Sequence, residues 1–568
     1  MRLPGATLSL AAFLVSASGL AGAAPLESAE RHYADWLDAI YAVSTLEAGT
    51  LKSVDAAGLT AWQARRAALT PRLTASLRAI DETALSSEDQ RALQIMRRTL
   101  AEAPVAPAAL SPAASVVRCE AAGVRQQDLP ALSQALYACF EAFGNHIDFQ
   151  GRTIVRTTAL ELLQELDEPA SRRALFQALT PLFRRVNGGD ERESPYRRLI
   201  RLAAAAAAKG GPAPIADAAH TVGRSPEEVE RLLRGVLEAW RDANPGASLE
   251  PWDYWHHYAG AVRSLDERIP AGQIAALSAR YYADLGADLA KLGVLHDLGV
   301  RAGKAPLAYT DFVRIGRYSG GNWRPAIARV SANVEHGGLF VLNEIVHEDG
   351  HAVHMAAVRT RPAFFALGDD LFVEAFADVT SWSVAEPAWQ QRYLGASVEA
   401  ASALRALFGN VMLDVAWGLF ELRLLRAPDS DPNEVWTQIT QHYLNIVPHP
   451  ELSWWALRVQ LVDQPGYMIN YGLGALLTAE LRQRLRELGG DFDTGNSGWY
   501  RLACQELLRY GAALETPELL RRFLGHPLSA GTLLGQLRRI AGSPAPGTLT
   551  TPARDRAQRD TASAPPSR

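Results

Sequence analysis

A mostly α-helical fold with a very small β ribbon is what this 568-residue sequence predicts. Three observations point there. Amphipathic stretches recur with start and stop signals. Ser225-Pro226-Glu227-Glu228 is a capping box with Pro in the first turn, Val229, Leu232, Leu233, Val236 and Leu237 follow at helical spacing, and Asn244-Pro245-Gly246 ends the run. Strand-like alternation is scarce, and no internal repeat stands out. One region departs from the helical rule: Tyr318-Ser319-Gly320-Gly321-Asn322-Trp323 is a glycine turn, followed by Ala326 to Val334, which reads as a short ribbon ending at Gly337-Gly338.

In chain order, residues 1–23 read as an export signal. Arg2 supplies a positive start, Leu8 to Leu20 an apolar stretch, and Ala21-Gly22-Ala23 a small-residue cleavage site. The body, 24–542, is long enough for one large core or for two lobes. Helical patterns occupy roughly 27–100, 127–183, 270–300, 395–426, 430–445 and 516–541. Ala103 to Val116, rich in Pro and Ala, reads as a connection, and Lys209-Gly210-Gly211-Pro212-Ala213-Pro214 as a break between helices. Residues 543–568 carry hardly any large apolar side chains and read as a disordered tail.

A formal charge of −5 is near balance for this length, and no basic stripe argues for nucleic acid. The leader is too short to be kept as a membrane span, and no later stretch is expected to be one. The expectation is an exported protein, in the bacterial periplasm or secreted, that handles small solutes. The three cysteines do not make a scaffold. In an oxidising compartment Cys119 and Cys139 could close a loop and leave Cys504 single; the other reading is three buried thiols.

The chemistry concentrates in Asn343-Glu344-Ile345-Val346-His347-Glu348-Asp349-Gly350-His351-Ala352-Val353-His354. On a helix, His347 and His351 lie one turn apart on one face, so both imidazoles can reach one ion. Zinc takes imidazole nitrogen, and its catalytic sites use three protein ligands and leave a position open. Glu348 falls beside the pair, where it can take a proton from a water activated by the ion. The metzincin spacing is excluded, because Gly and a third His are needed where His354 and Ala357 stand. The run Gly368 to Trp382 reads as a second helix, N-capped by its Asp pair and stopped at Pro387. Glu374 on that helix completes a His-His-Glu set, and Asp378, one turn on, is placed to accept the outer N–H of a ligand imidazole, His347 first. His354 is expected to be structural, since a fourth protein ligand would leave no room for water.

These residues carry a family resemblance. His347-Glu348-Asp349-Gly350-His351-Ala352-Val353-His354 resembles the signature of the thimet oligopeptidase and oligoendopeptidase group, and Phe372-Val373-Glu374-Ala375 its third-ligand segment. Glu374 to Val379 is also similar to the corresponding helix of angiotensin-converting enzyme, and Leu519 to Pro527 looks like the closing segment of the thimet group. The resemblance implies a two-lobed helical zinc peptidase, a gluzincin, with a central cleft for short peptides. It implies an edge strand before the zinc helix that pairs with substrate, for which Ala332 and Asn333 are the candidates. It also implies a tyrosine donor across the cleft. Tyr467 and Tyr471 share a helix face in the segment starting at Asp463, and Tyr471 is the first choice to steady a tetrahedral oxyanion. The group's upstream His is absent, that neighbourhood reading Val462-Asp463-Gln464. The functional expectation is a zinc oligopeptidase. Its rivals are a carboxydipeptidase of the angiotensin-converting type and a peptide-binding protein without catalysis.

Overall fold

The computed structural model describes residues 18–49, 58–102, 112–123, 128–246, 248–260, 262–301, 304 and 307–541. The expected leader as far as residue 17, the expected tail and the 103–111 part of the expected connection lie outside the described residues. What is described is mostly helix, in agreement with the predicted class. The helices that position the site are α1 (Ser18–Glu47), α2 (Arg156–Glu165), α3 (Ile274–Asp284), α4 (Leu339–Ala357), α5 (Asp370–Ser381), α6 (Ala400–Arg426) and α7 (Met468–Gly489). Buried apolar side chains from Leu26 to Ile540 form one continuous cluster, with Trp436, Trp454 and Trp455 among its largest members.

The structure departs from the helical reading in three places, two of them strand where helix is expected and one helix where a connection is expected. Within 127–183 the chain makes a hairpin, β1 (Ile147–Phe149) and β2 (Arg152–Ile154), turning through Gln150 and Gly151 at φ 50° and 75°. Two consecutive positive φ values match the twist of a two-residue hairpin, and the lone Gly was the only local sign of it. Within 270–300, Val294–Asp297 is a strand, β3, rather than helix. Pro112–Gly123 is a helix that takes in the end of the expected connection. The disulfide Cys119–Cys139 ties that helix to Leu129–Gly144, and Cys504 is free.

The ribbon is larger than expected. β4 (Tyr309–Arg314), a hairpin of β5 (Arg317–Ser319) and β6 (Asn322–Arg324), and β7 (Ile327–Ser331) follow β3. β7 lies in the middle of a three-stranded sheet, parallel to β3 and antiparallel to β4. Its register sets Asp297 opposite Ser331 and Tyr309 opposite the same Ser331.

α6 is long and apolar enough to cross a membrane by length and composition alone, which departs from the sequence expectation, yet most of its apolar window is buried inside the protein. Its glycines explain the fit. A Cβ on Gly409 would lie 2.8 Å from the Tyr258 ring, and one on Gly418 would lie 2.8 Å from the Met468 carbonyl oxygen. α6 is therefore pressed against its neighbours at backbone distance.

Candidate metal centre

Helix α4 starts where the chain cannot be anything but glycine. A Cβ at Gly337 would sit 1.9 Å from the Ile269 carbonyl oxygen, and Gly338 has φ 109°. Asp266, from another segment, then caps the helix by accepting the Leu339 N–H at 2.8 Å. The start fixes which face of α4 meets α5. On that face Gly350 is required again: a Cβ there would fall 2.8 Å from both Cα and O of Ala377. Gly350→Ala is expected to lower stability by about 1–2 kcal/mol, because overpacking of about 1–3 kcal/mol exceeds the helix propensity of about 1 kcal/mol that alanine adds. The midpoint of denaturant unfolding reads it.

The close approach of α4 and α5 brings three donors together. His347 Nε2 and His351 Nε2 are 3.1 Å apart, and Glu374 Oε2 lies 3.4 Å from the first and 3.7 Å from the second. Among the described residues this is the one group of three such side chains able to share an ion. Ligands 2.0–2.1 Å from a tetrahedral zinc are separated by about 3.3–3.4 Å. The triangle fits that ion without rearrangement. Glu374 Oε2 is also buried without a hydrogen bond among the described residues, as a carboxylate oxygen waiting for a cation would be.

The surroundings orient the set. Asp378 Oδ1 is 2.7 Å from His347 Nδ1 and accepts the Ser381 hydroxyl at 2.9 Å. This fixes the His347 ring with Nε2 towards the triangle. No equivalent partner meets His351 Nδ1 among the described residues. Burial alone would depress the His347 pKa, but Asp378 and then Glu374 reverse the shift and hold it well above the ordinary value. Burial would raise Glu374, yet His347 and His351 keep its carboxyl well below the carboxylate range. His354 is not part of the set. It packs edge-on against Phe372 and Phe376, each 5.5 Å away, and burial pushes its pKa down to about 3, so the ring is neutral.

Glu348 is 5% exposed, and its pKa is raised by burial against the pull of His351 and His347. Its Oε2 accepts the Thr310 hydroxyl at 2.6 Å. Thr310 stands on β4 and was invisible to sequence reasoning, having no motif and lying 38 residues away. The two tyrosines have different surroundings. Tyr467 donates to Glu374 Oε1 at 3.1 Å. Tyr471 lines the cavity shared by His347, Glu348 and Asp378.

The substrate-strand expectation for Ala332 and Asn333 needs correction. They extend the central strand β7, not an edge. The Ala332 N–H donates to Asp297 O at 3.0 Å, and its carbonyl accepts the Lys304 ammonium at 2.6 Å. Both main-chain groups of Ala332 are committed within the fold. The sheet leaves its outer edge next to the centre at β4, and Leu307 and Ala308, just before it, line the cavity.

That cavity, about 300 Å³, holds residues the sequence did not single out. Arg156 and Arg458 contribute two guanidiniums, with Glu344 and Asp414 among them. Arg458 pairs with Asp414 and stacks 4.9 Å over Trp417. Nothing near Arg156 or Arg458 in the sequence resembles a motif.

Fold and site together define a mostly helical protein with, among the described residues, one His-His-Glu centre beside a cavity. No family model matches the chain, and no curated protein does. Among solved structures it is similar to the crystal structure of an M32 carboxypeptidase from Deinococcus radiodurans R1, at a TM-score of 0.52 and 16% identity. The alignment covers 92% of this chain and 100% of that one. The likeness is one of fold.

Proposed function

We propose that this chain is a zinc-dependent peptidase that hydrolyses peptide bonds of short peptides. One observation carries the reading: three donors form a triangle of zinc dimensions, and the buried carboxylate of Glu348 lines the same cavity as His347. His347, His351 and Glu374 would hold the ion, which supplies Lewis acidity when bound, making water acidic and polarising a carbonyl. Glu348 takes the proton of the attacking water and delivers it to the leaving amine, and Thr310 keeps its carboxylate in place. Tyr471 donates to the developing oxyanion from the cavity wall. Tyr467 holds Glu374, and Asp378 holds His347.

Two cutting modes are supported by different features. The motif's likeness to the thimet group supports internal cleavage. Release from the C-terminus is supported by Arg156 and Arg458 in the cavity and by the carboxypeptidase whose fold the chain shares. A charge-assisted hydrogen bond to a free carboxylate contributes about 1.5–3 kcal/mol. Under the C-terminal mode, peptides blocked as amides are expected to be cut roughly 10- to 100-fold more slowly than the free acids; under the internal mode the two react alike. Export to an oxidising compartment is part of the proposal, and the Cys119–Cys139 disulfide suits it.

The test is metal analysis together with mass spectrometry of a peptide mixture before and after incubation. One zinc per chain, products in the mixture, and loss of cleavage on chelation are expected. Intact peptides in the presence of bound zinc would leave a peptide-binding protein instead.

A further inference from the structure

We propose that Glu421, on α6 and outside the ligand triangle, is a positioning residue that sets the third ligand through Tyr467. The inference rests on the zinc-peptidase reading above.

Glu421 is wholly buried, five residues before the C-terminal end of α6. Its two carboxylate oxygens accept one backbone N–H each, Gly466 on Oε1 and Met468 on Oε2, both at 2.8 Å. Tyr467 is the residue between them. A planar acid thus brackets the backbone on either side of that tyrosine and opposes its rotation. Gly418, one turn before Glu421, lets α6 sit at backbone distance from the same turn, since a Cβ there would meet the Met468 carbonyl oxygen at 2.8 Å. Gly466 has φ 96°, and a Cβ on it would lie 2.4 Å from Pro214 and 3.3 Å from Leu425 of α6, so the turn is tightly packed there as well. The phenol held this way donates to Glu374 Oε1 at 3.1 Å, while Glu374 Oε2 is the oxygen facing the two imidazoles.

A buried acid is a costly way to cap one helix. An uncompensated carboxylate in an apolar interior is strongly disfavoured, and burial pushes Glu421 up to about 8 against the two N–H bonds. An exposed Ser, Asp or Asn next to the helix start would satisfy the same N–H groups without that cost. What only the buried bracket supplies is a fixed phenol. Glu421 acts on the metal centre through Tyr467 and touches neither substrate nor ion.

The test is a double-mutant cycle read as zinc affinity by competition with a chelator, with no turnover involved. Tyr467→Phe and Glu421→Gln are each expected to weaken zinc binding by about tenfold or more, in the range for partners that orient metal ligands. Glutamine keeps one acceptor and turns an NH2 towards the second backbone N–H. The double variant is expected to bind as weakly as either single one, because both act along one path. Leu424→Ala, which empties a buried apolar position on the same helix, serves as a control of matched stability loss and is expected to leave zinc affinity unchanged. Glu421→Asp, too short to bridge both N–H groups, replaces Glu421→Gln if that variant does not fold. Additive effects in the cycle, or a Glu421 variant that binds zinc as the parent does, would overturn the inference. So would a Tyr467→Phe chain with parental affinity, whatever the Glu421 variants do. A parent chain that takes up no zinc would overturn the functional reading too, which separates the two failures.

Discussion

Replacing Glu348 with glutamine is expected to leave one zinc per chain and to lower kcat by ~10²- to 10⁴-fold, the span attributed to a positioned acid or base. The substitution is nearly isosteric, and the Thr310 hydroxyl that donates to Glu348 Oε2 at 2.6 Å can donate equally to a glutamine carbonyl. The ligand triangle does not include Glu348, so metal binding has no reason to change. What disappears is a group able to take a proton and return it. Because that role belongs to the transition state, KM is expected to move far less than kcat. Steady-state kinetics on a cleaved peptide, with metal content measured on the same sample, reads both. A variant with unchanged turnover would remove Glu348 from the mechanism.

Removing the carboxylate of Glu374 is expected to have the larger effect on the centre itself. Glu374→Ala leaves His347 and His351 with their Nε2 atoms 3.1 Å apart and no anion to balance a bound cation. Zinc affinity is expected to fall by more than the ~10- to 100-fold that losing a ligand-orienting partner costs, and activity with it. Thermal unfolding gives a readout independent of turnover. A ligand that binds only the folded chain stabilises it by about 4 kcal/mol at a thousandfold excess over Kd. Adding zinc should therefore raise the Tm of the parent and leave that of Glu374→Ala almost unmoved. An equal rise in both would place the third ligand elsewhere.

Residues close in sequence are legible because helix geometry alone relates them. His347 and His351 face one way since 3.6 residues make a turn, and Asp369 starts α5 by accepting the Leu371 N–H at 3.0 Å, as an N-cap does. Asp378 stands one turn beyond Glu374 for the same reason. Errors arose where long-range pairing decides. The edge position of Ala332 is implied only by the family resemblance, and β3, which flanks it, shows a helical pattern in the sequence. The order β3-β7-β4 depends on partners 13 to 34 residues away. Thr310, Arg156, Arg458 and Glu421 carried no local sign, since each is defined by what it meets across the fold.

The amino-acid order alone determined the helical class, the pairing of two imidazoles on one turn and the presence of a capped acid-bearing helix after them. Those properties follow from backbone periodicity and from unsatisfied N–H groups at helix starts, which act over a few residues. Tertiary structure decided that the acid at 374 comes within 3.7 Å of both imidazoles, which tyrosine meets it, and which strand is left with a free edge. Such distances depend on helices that touch at glycine, at Gly350 against Ala377 and Gly418 against Met468. There the spacing is fixed by side-chain volume at the contact, a property of two distant segments at once.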